Sequence, residues 1–276
     1  MNTTLSADSY CQTLVRTQDP DRFLLSLFYP QEKRAALWAL YAFHYEIAKT
    51  REVVTDTTIG LIRLQWWRDA LENFYEKDET PAHEVMTDLC KAIRQYHLPR
   101  DLFDHLLYAR EFDLEDRQPG SMEGVCNYAD YTHTPLLRLA SIIVGEDPDH
   151  PAVQPVAMAY ALTGLIRAAR FHLADRRCYL PEDVMRRADL SIDSVAKDPA
   201  ALSPVIRAMR LKAEDLLRQA DEAGEGRLTR LHRVMAMQYL NKIRKLNDNI
   251  GDLRMAVAPP LRIVGLWLAA RKTRQE

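Results

Sequence analysis

The chain has 276 residues, 47% of them hydrophobic and only nine of them glycine, a globular composition that excludes extensive disorder and a turn-rich all-β architecture. The net charge is -2, yet residues 226–276 carry eleven Lys/Arg against three Asp/Glu. This basic C-terminal region predicts either a solvated helix surface or contact with anionic lipid or an acidic partner. Nucleic acid is not expected as a partner, because no base-reading motif accompanies the charge.

Export and membrane insertion are not expected from the sequence. Residues 1–23 contain no apolar core of the kind that a signal peptide needs. The longest apolar run near the C-terminus, 263–270, is shorter than the roughly 20 residues that cross a bilayer. We therefore expect a cytoplasmic protein, or one held peripherally on the inner face of the membrane. The four cysteines form no C-x-x-C pair, so we expect reduced, buried thiols.

The first half of the chain shows apolar residues at helical spacing and no strict alternation, which predicts helices and no strands. A helix is predicted over 30–51. The next begins with Thr57 or Thr58 as its N-cap, and Pro81 and Pro99 mark two further starts.

The second half of the chain continues this pattern. Helices are predicted over 121–145, 151–176, 203–223 and 226–249, with a short last helix after Pro260. Pro135 predicts a kink inside the first of these, and Ser203 followed by Pro204 predicts an N-cap and first turn. No repeat, low-complexity tract or linker divides the sequence, so we expect a single all-α domain over 1–276.

Common catalytic motifs are missing from the sequence. The eight histidines include no pair three or four residues apart, so a zinc site is not expected. There is no G-x-S-x-G, Walker A or glycine-rich dinucleotide motif, which excludes the usual serine hydrolase, P-loop and nicotinamide enzymes.

Several segments carry a family resemblance. FLLSLFYPQEKRAALWALYAF (23–43) is similar to the opening helices of squalene and phytoene synthases, and RRCYLPEDV (176–184) resembles their R-x-Y-L-P segment. IRLQWWRDAL, between them, resembles the tryptophan-bearing second helix, so the resemblance covers nearly the whole chain. It implies an isoprenoid (terpenoid) synthase-type fold, an all-α helical bundle around a central cavity. In that family two aspartate clusters on facing helices hold magnesium, which binds the leaving diphosphate.

Most of those aspartates are replaced in this chain. The first family pattern, D-D-x-x-D, aligns with 48–52, where Glu52 is the only carboxylate. The second, D-x-x-x-D, aligns its acidic positions with Ala168 and His172. The residual acidic candidates are Asp21, Glu46, Glu52 and Asp113. This set lacks facing carboxylate clusters, so we expect no cofactor and no ordinary prenyl condensation.

Cations stand at or beside the replaced positions. The candidates for a cavity or anion-binding site are Lys49, Arg51, Arg167, Arg170, His172, Arg177 and Tyr179. If the cations of the first segment face those of the second, a site that bound diphosphate through metal would bind an anion directly. The alternative is that these side chains pair with Glu46, Glu52 or Asp113, or extend into solvent.

Three tryptophans each allow two interpretations. Trp66 and Trp67 would line an isoprenoid tunnel or form ordinary core, and core is more usual for aromatic residues at helical spacing. Trp267 would lie in a membrane interface or dock the last helix on the bundle.

A degenerate subgroup of the family shows the same losses, namely the mitochondrial complex I assembly factor with this fold and its bacterial relatives. The resemblance implies a non-catalytic, assembly-factor-type role for respiratory complex I. It implies a respiratory-complex subunit or assembly protein as partner, and an isoprenoid or anionic lipid in a retained cavity. The alternative is a divergent magnesium-dependent prenyl (farnesyl or geranylgeranyl) transferase using Glu46, Glu52, Asp113 and Glu115. A third reading is a lipid carrier.

Overall fold

The computed structural model describes residues 9–271, apart from the side chains of Ala196 and Lys197, and shows helices and no strand in that range. The all-α prediction is therefore confirmed. The helices gather into two compact units: residues 9–114 and 139–146 form unit 1, and residues 115–138 and 147–271 form unit 2. The single domain expected from the sequence stays a prediction.

Unit 1 is built around one buried helix. Its helices are α1 (Tyr10–Gln18), α2 (Pro20–Ser26), α3 (Gln31–Ala48), α4 (Thr50–Val53), α5 (Thr57–Lys77), α6 (Glu84–Tyr96) and α7 (Arg100–Leu114). Helix α3 packs against α1, α6 and α7, and almost every residue over 36–47 is buried. A helix that is buried on all sides carries apolar residues all round, as residues 35–43 of this helix do.

Unit 2 has α9 at its centre. Its helices are α8 (Met122–Val144), α9 (Val153–Ala174), α10 (Glu182–Arg187), α11 (Ile192–Lys197), α12 (Ser203–Glu222), α13 (Arg227–Lys245) and α14 (Arg262–Arg271). Short 3-10 turns span Pro199–Leu202 and Leu253–Ala256. Helix α9 packs against α12 and α13, and α14 packs on α13. Helix α8 begins in unit 2 and ends in unit 1.

The predicted end of α8 is present. Gly145 follows the helix with φ +79°, a conformation that glycine adopts without steric cost. Pro135 lies inside α8, and the kink expected there stays a prediction. The Lys33 ammonium donates to the Val144 carbonyl at 2.6 Å, which satisfies one of the free carbonyls at the helix end.

Several predicted helix ends differ from the observed ones by one to four residues. Asp56, rather than Thr57 or Thr58, caps α5, and its carboxylate accepts from the Ile59 amide at 3.0 Å. Ser203 is the first residue of α12 and not its cap, because the preceding 3-10 turn leads the chain directly into the helix. The helix predicted over 30–51 is interrupted at Lys49, which separates α3 from α4.

All four cysteine thiols are free and buried, as predicted. Burial raises the pKa of Cys11 to about 12 and that of Cys90 to about 11. Within residues 9–271, no helix combines the length and the hydrophobicity that crossing a bilayer requires.

Candidate functional site

Glu46 of unit 1 lies between two cations. It is buried near the end of α3. The Lys49 ammonium lies 2.6 Å from Glu46 Oε1, and Arg63 of α5 donates to Oε2 at 2.8 Å. Lys49 also lies 4.9 Å from the centre of the Tyr45 ring. Both carboxylate oxygens of Glu46 are thus held in ion pairs. For Lys49 this corresponds to the alternative given above, in which the cations pair with nearby carboxylates.

A second buried cluster joins α3 to α7. Arg110 donates to Asp113 Oδ2 at 3.1 Å and to His44 Nε2 at 3.0 Å, and all three side chains are buried. Arginine has no acceptor, so His44 Nε2 must accept and carries no proton. Asp113 therefore takes part in a buried ion pair within the unit.

The other unit 1 candidates occupy separate places. Asp21 is buried in the first turn of α2, where the helix dipole favours a carboxylate. Glu52 is exposed on α4, and the Arg51 guanidinium donates to the Val54 carbonyl at 2.9 Å. In the part of the chain that the structure describes, no group of three or more His, Cys, Asp or Glu side chains is placed to hold a metal ion. The residues present do not fit a magnesium cluster.

Arg167 of unit 2 is fixed against an aromatic ring. Its guanidinium carbon lies 3.7 Å from the centre of the Tyr239 ring of α13. Arg262 at the start of α14 donates to the Tyr239 hydroxyl at 3.4 Å. The stacked guanidinium is pre-organised, because the ring restricts its rotation.

A cavity of about 360 Å³ lies between the second half of α9 and the segment 250–256. Side chains on its wall include Arg167, Arg170, Phe171, Ile250, Leu253 and Met255. It therefore presents two guanidinium groups together with an apolar surface. Arg170 is exposed at this wall, so it is accessible to a ligand from solvent.

The charge at this cavity is positive. Among the lining residues that the structure describes, Asp252 is the only acidic one, and its carboxylate pairs with Arg254 at 2.6 Å. Hydrogen bonds from Arg254 hold the pKa of Asp252 at about 2, so the pair stays neutral as a whole. Burial, and then the nearby Arg167, lower the pKa of the Lys242 ammonium. The smaller contribution, from Arg167, reflects repulsion between like charges.

The remaining unit 2 candidates form a different group. The His172 and Tyr179 rings lie 4.8 Å apart, and Tyr128 lies 5.3 Å from Tyr179. Arg177 donates to Asp175 at 2.8 Å. The structure thus places Arg167 and Arg170 in one cavity wall, His172 and Tyr179 in an aromatic cluster, and Arg177 in a local ion pair.

Several residues in or beside the cavity were not identified from the sequence. Tyr239 and Lys242 lie on a helix that was predicted, but their spacing alone did not point toward α9. Asp252, Leu253 and the residues around them lie in a short 3-10 turn, which has no periodic sequence signal. The close spacing of Asp252 and Arg254 was the one local sequence signal in this turn.

Comparison with known proteins gives consistent results. Residues 15–262 match the family model described as "Squalene/phytoene synthase". Complex I assembly factor 6 of Bos taurus is 33% identical over 64% of this chain and 54% of its own length. Phytoene synthase of Thermus thermophilus is 24% identical, over 86% of this chain and 84% of that protein. A dehydrosqualene synthase crystal structure superposes with a TM-score of 0.79 at 19% identity, covering 96% of this chain and 95% of that one.

These comparisons confirm the predicted isoprenoid synthase-type fold. The chain spans about half the length of the mammalian protein that it matches.

Proposed function

Because this chain belongs to the squalene/phytoene synthase family, we propose that it is a non-catalytic member that assists assembly of respiratory complex I, the NADH dehydrogenase. Its similarity to complex I assembly factor 6 supports the assembly role. The observation that carries the non-catalytic part is the loss of the aspartates. Ala168 and His172 stand where the family resemblance places one pair, and Glu46 is held by two cations.

The assembly role predicts that deleting the gene in its own organism lowers the amount of complex I. NADH:quinone oxidoreductase activity of isolated membranes, and the assembled complex on native gels, should both fall severalfold and recover when the chain is re-expressed. Succinate dehydrogenase activity of the same membranes is the control and should not change. Complex I of normal abundance in the deletion strain would contradict the assembly role.

The cavity beside α9 is the proposed ligand site of this non-catalytic protein. The guanidinium groups of Arg167 and Arg170 suit a phosphate or diphosphate, and they need no metal to bind it. Phe171, Ile250 and Met255 offer an apolar surface to a hydrocarbon tail. An anionic head group with an isoprenoid or acyl tail matches both parts of the wall.

Farnesyl diphosphate tests this site and the enzyme alternative together. With magnesium chelated, a saturating concentration of about 100 times Kd should stabilise the fold by about 2.7 kcal/mol. For a chain of this size that raises the melting temperature by about 5 °C. Arg170→Gln should abolish the rise, whereas Arg186→Gln, at an exposed position of α10, should not. With magnesium added, no pyrophosphate should be released.

Either contrary result is informative. An unchanged melting temperature removes the ligand proposal and leaves the assembly role standing. Pyrophosphate release would favour the divergent prenyl transferase. The structure counts against that alternative, because Glu46 and Asp113 are held in buried ion pairs and Glu115 lies 3.3 Å from Arg117.

A further inference from the structure

The outer face of α14 is apolar. Every residue between Arg262 and Arg271 is apolar. Leu266 and Ala269 are buried. The opposite side chains remain exposed by about half: Ile263 59%, Val264 50%, Trp267 45% and Leu268 54%. A helix that only docked on the bundle would carry polar residues on this side.

The attachment of α14 fixes which face points outward. Gly265 lies against Gln238 of α13, where a Cβ atom would collide with the Gln238 amide. The same amide donates to the Arg262 carbonyl at 3.3 Å. Val234, four residues before Gln238, is also close to Gly265. Helix α14 is thus seated along one stripe of α13, and the side chains on its other side are exposed.

The segment before α14 extends this surface. Lys242 lies on the same stripe of α13, one turn beyond Gln238, and its ammonium donates to the Val257 carbonyl. Three apolar side chains of this segment are strongly exposed: Leu253 76%, Val257 65% and Leu261 77%. We call these three and the four exposed side chains of α14 the C-terminal apolar face.

The surroundings of the C-terminal apolar face are cationic. Helices α13 and α14 contain no acidic residue. The nearby acids are neutralised, since Asp248 is buried against Arg210 and Asp252 pairs with Arg254. Exposed cations remain at Arg244, Lys245 and Arg271. The Arg271 guanidinium lies 3.4 Å from the centre of the Trp267 ring, so a cation and an interfacial aromatic act as one group.

We infer that the C-terminal apolar face docks on the surface of a membrane that contains anionic lipid. Apolar side chains with tryptophan would enter the boundary between head groups and acyl chains, and the cations would contact lipid phosphates. The ten residues of α14 lie along the surface rather than across it. A second copy of this chain would bring the same positive border against its own, and an acidic protein would not call for a tryptophan at the edge of the apolar face, so the combination of charge and interfacial aromatic favours anionic lipid.

The arrangement also relates the membrane to the cavity of unit 2. Leu253 belongs both to the C-terminal apolar face and to the wall of the cavity beside α9. A docked molecule would therefore hold that edge of the cavity against the lipid. The position of this cavity edge at the membrane does not depend on the proposed role in complex I assembly.

Vesicle flotation tests the inference with the full chain. The protein should float with vesicles of phosphatidylcholine and phosphatidylglycerol, and much less with phosphatidylcholine alone. Trp267→Ser combined with Leu268→Ser should weaken binding at least about tenfold. Burying each of these apolar side chains contributes at least about the free energy that changes a binding constant tenfold. Leu211→Ser, at a residue of α12 that is 53% exposed, is the matched control and should float like the wild type.

Three outcomes would overturn the inference. The first is equal flotation of the double variant and the wild type. The second is failure of the wild type to bind anionic vesicles. The third is a dimer in sedimentation that the double variant dissociates, without vesicle binding, because a second copy would then cover the face. Melting temperatures of both variants should equal that of the wild type, which excludes misfolding as the cause of lost binding.

Discussion

Replacing Trp67 by alanine should lower the free energy of unfolding by about 3–5 kcal/mol, the usual cost of removing a buried aromatic side chain. Trp67 is 1% exposed, and its ring meets that of Phe43 edge to face at 5.4 Å. Phe43 in turn contacts Phe103 at 5.4 Å. The three rings tie α3, α5 and α7 together, so truncation of Trp67 leaves a cavity at the centre of unit 1.

The neighbouring tryptophan supplies the control. Trp66 is 42% exposed and contacts Trp67 and His83 from outside the core. Trp66→Ala should therefore cost less than about 1 kcal/mol. Chemical denaturation followed by circular dichroism measures both variants. Equal and small losses of unfolding free energy in the two variants would contradict a core role for Trp67. They would favour the tunnel wall, the other interpretation that the sequence allowed.

Arg210→Met should destabilise the chain by about 3 kcal/mol, the lower end of the cost of breaking a buried ion pair from one side. Arg210 is buried on α12 and donates to both oxygens of Asp248, at 2.6 and 3.1 Å. Asp248 is itself buried, and Arg207 remains 3.7 Å away, beyond hydrogen-bonding distance. The variant therefore keeps a desolvated carboxylate without its two donors.

A second substitution distinguishes this cause from a packing defect. Without Arg210 the Asp248 carboxylate stays buried and loses both of its donors, and asparagine at position 248 would remove that buried charge. Adding Asp248→Asn to Arg210→Met should restore part of the loss, since asparagine tolerates the φ of +59° at this position.

The control for this ion pair lies on the same helix. Glu222 pairs with Arg218 on the exposed side of α12. Glu222→Gln should change stability by less than about 0.5 kcal/mol. A loss from Arg210→Met that is as small as this, or one that the added Asp248→Asn does not reduce, would contradict the buried-charge explanation.

Local signals explain which parts of the fold were predictable. Gly145 acts through its own backbone geometry, so the end of α8 could be predicted. The Asp56 cap was missed because several polar residues compete there. The pairing of Arg210 with Asp248 spans 38 residues and has no local signal.

The candidate site was predictable only in part. Arg167 and Arg170 were identified because a helix carries them near a family motif. Their partners across the cavity come from residues 250–256, about eighty positions later in the chain, and only the packed tertiary structure brings the two together. The substitution of the aspartates was evident from the sequence. The ion pairs that hold Glu46 and Asp113 could be identified only in the three-dimensional structure.

The division of α8 between the two units has a consequence for biosynthesis. Leu139, Ala140 and Ile143 are buried side chains of unit 1, and they follow 24 residues that belong to unit 2. On the ribosome, unit 1 must wait for residue 146 to emerge before its packing is complete, while the first stretch of unit 2 is already outside. Neither unit is a continuous stretch of the gene, so cutting the coding sequence at any single point between residues 114 and 147 leaves one unit without part of its chain.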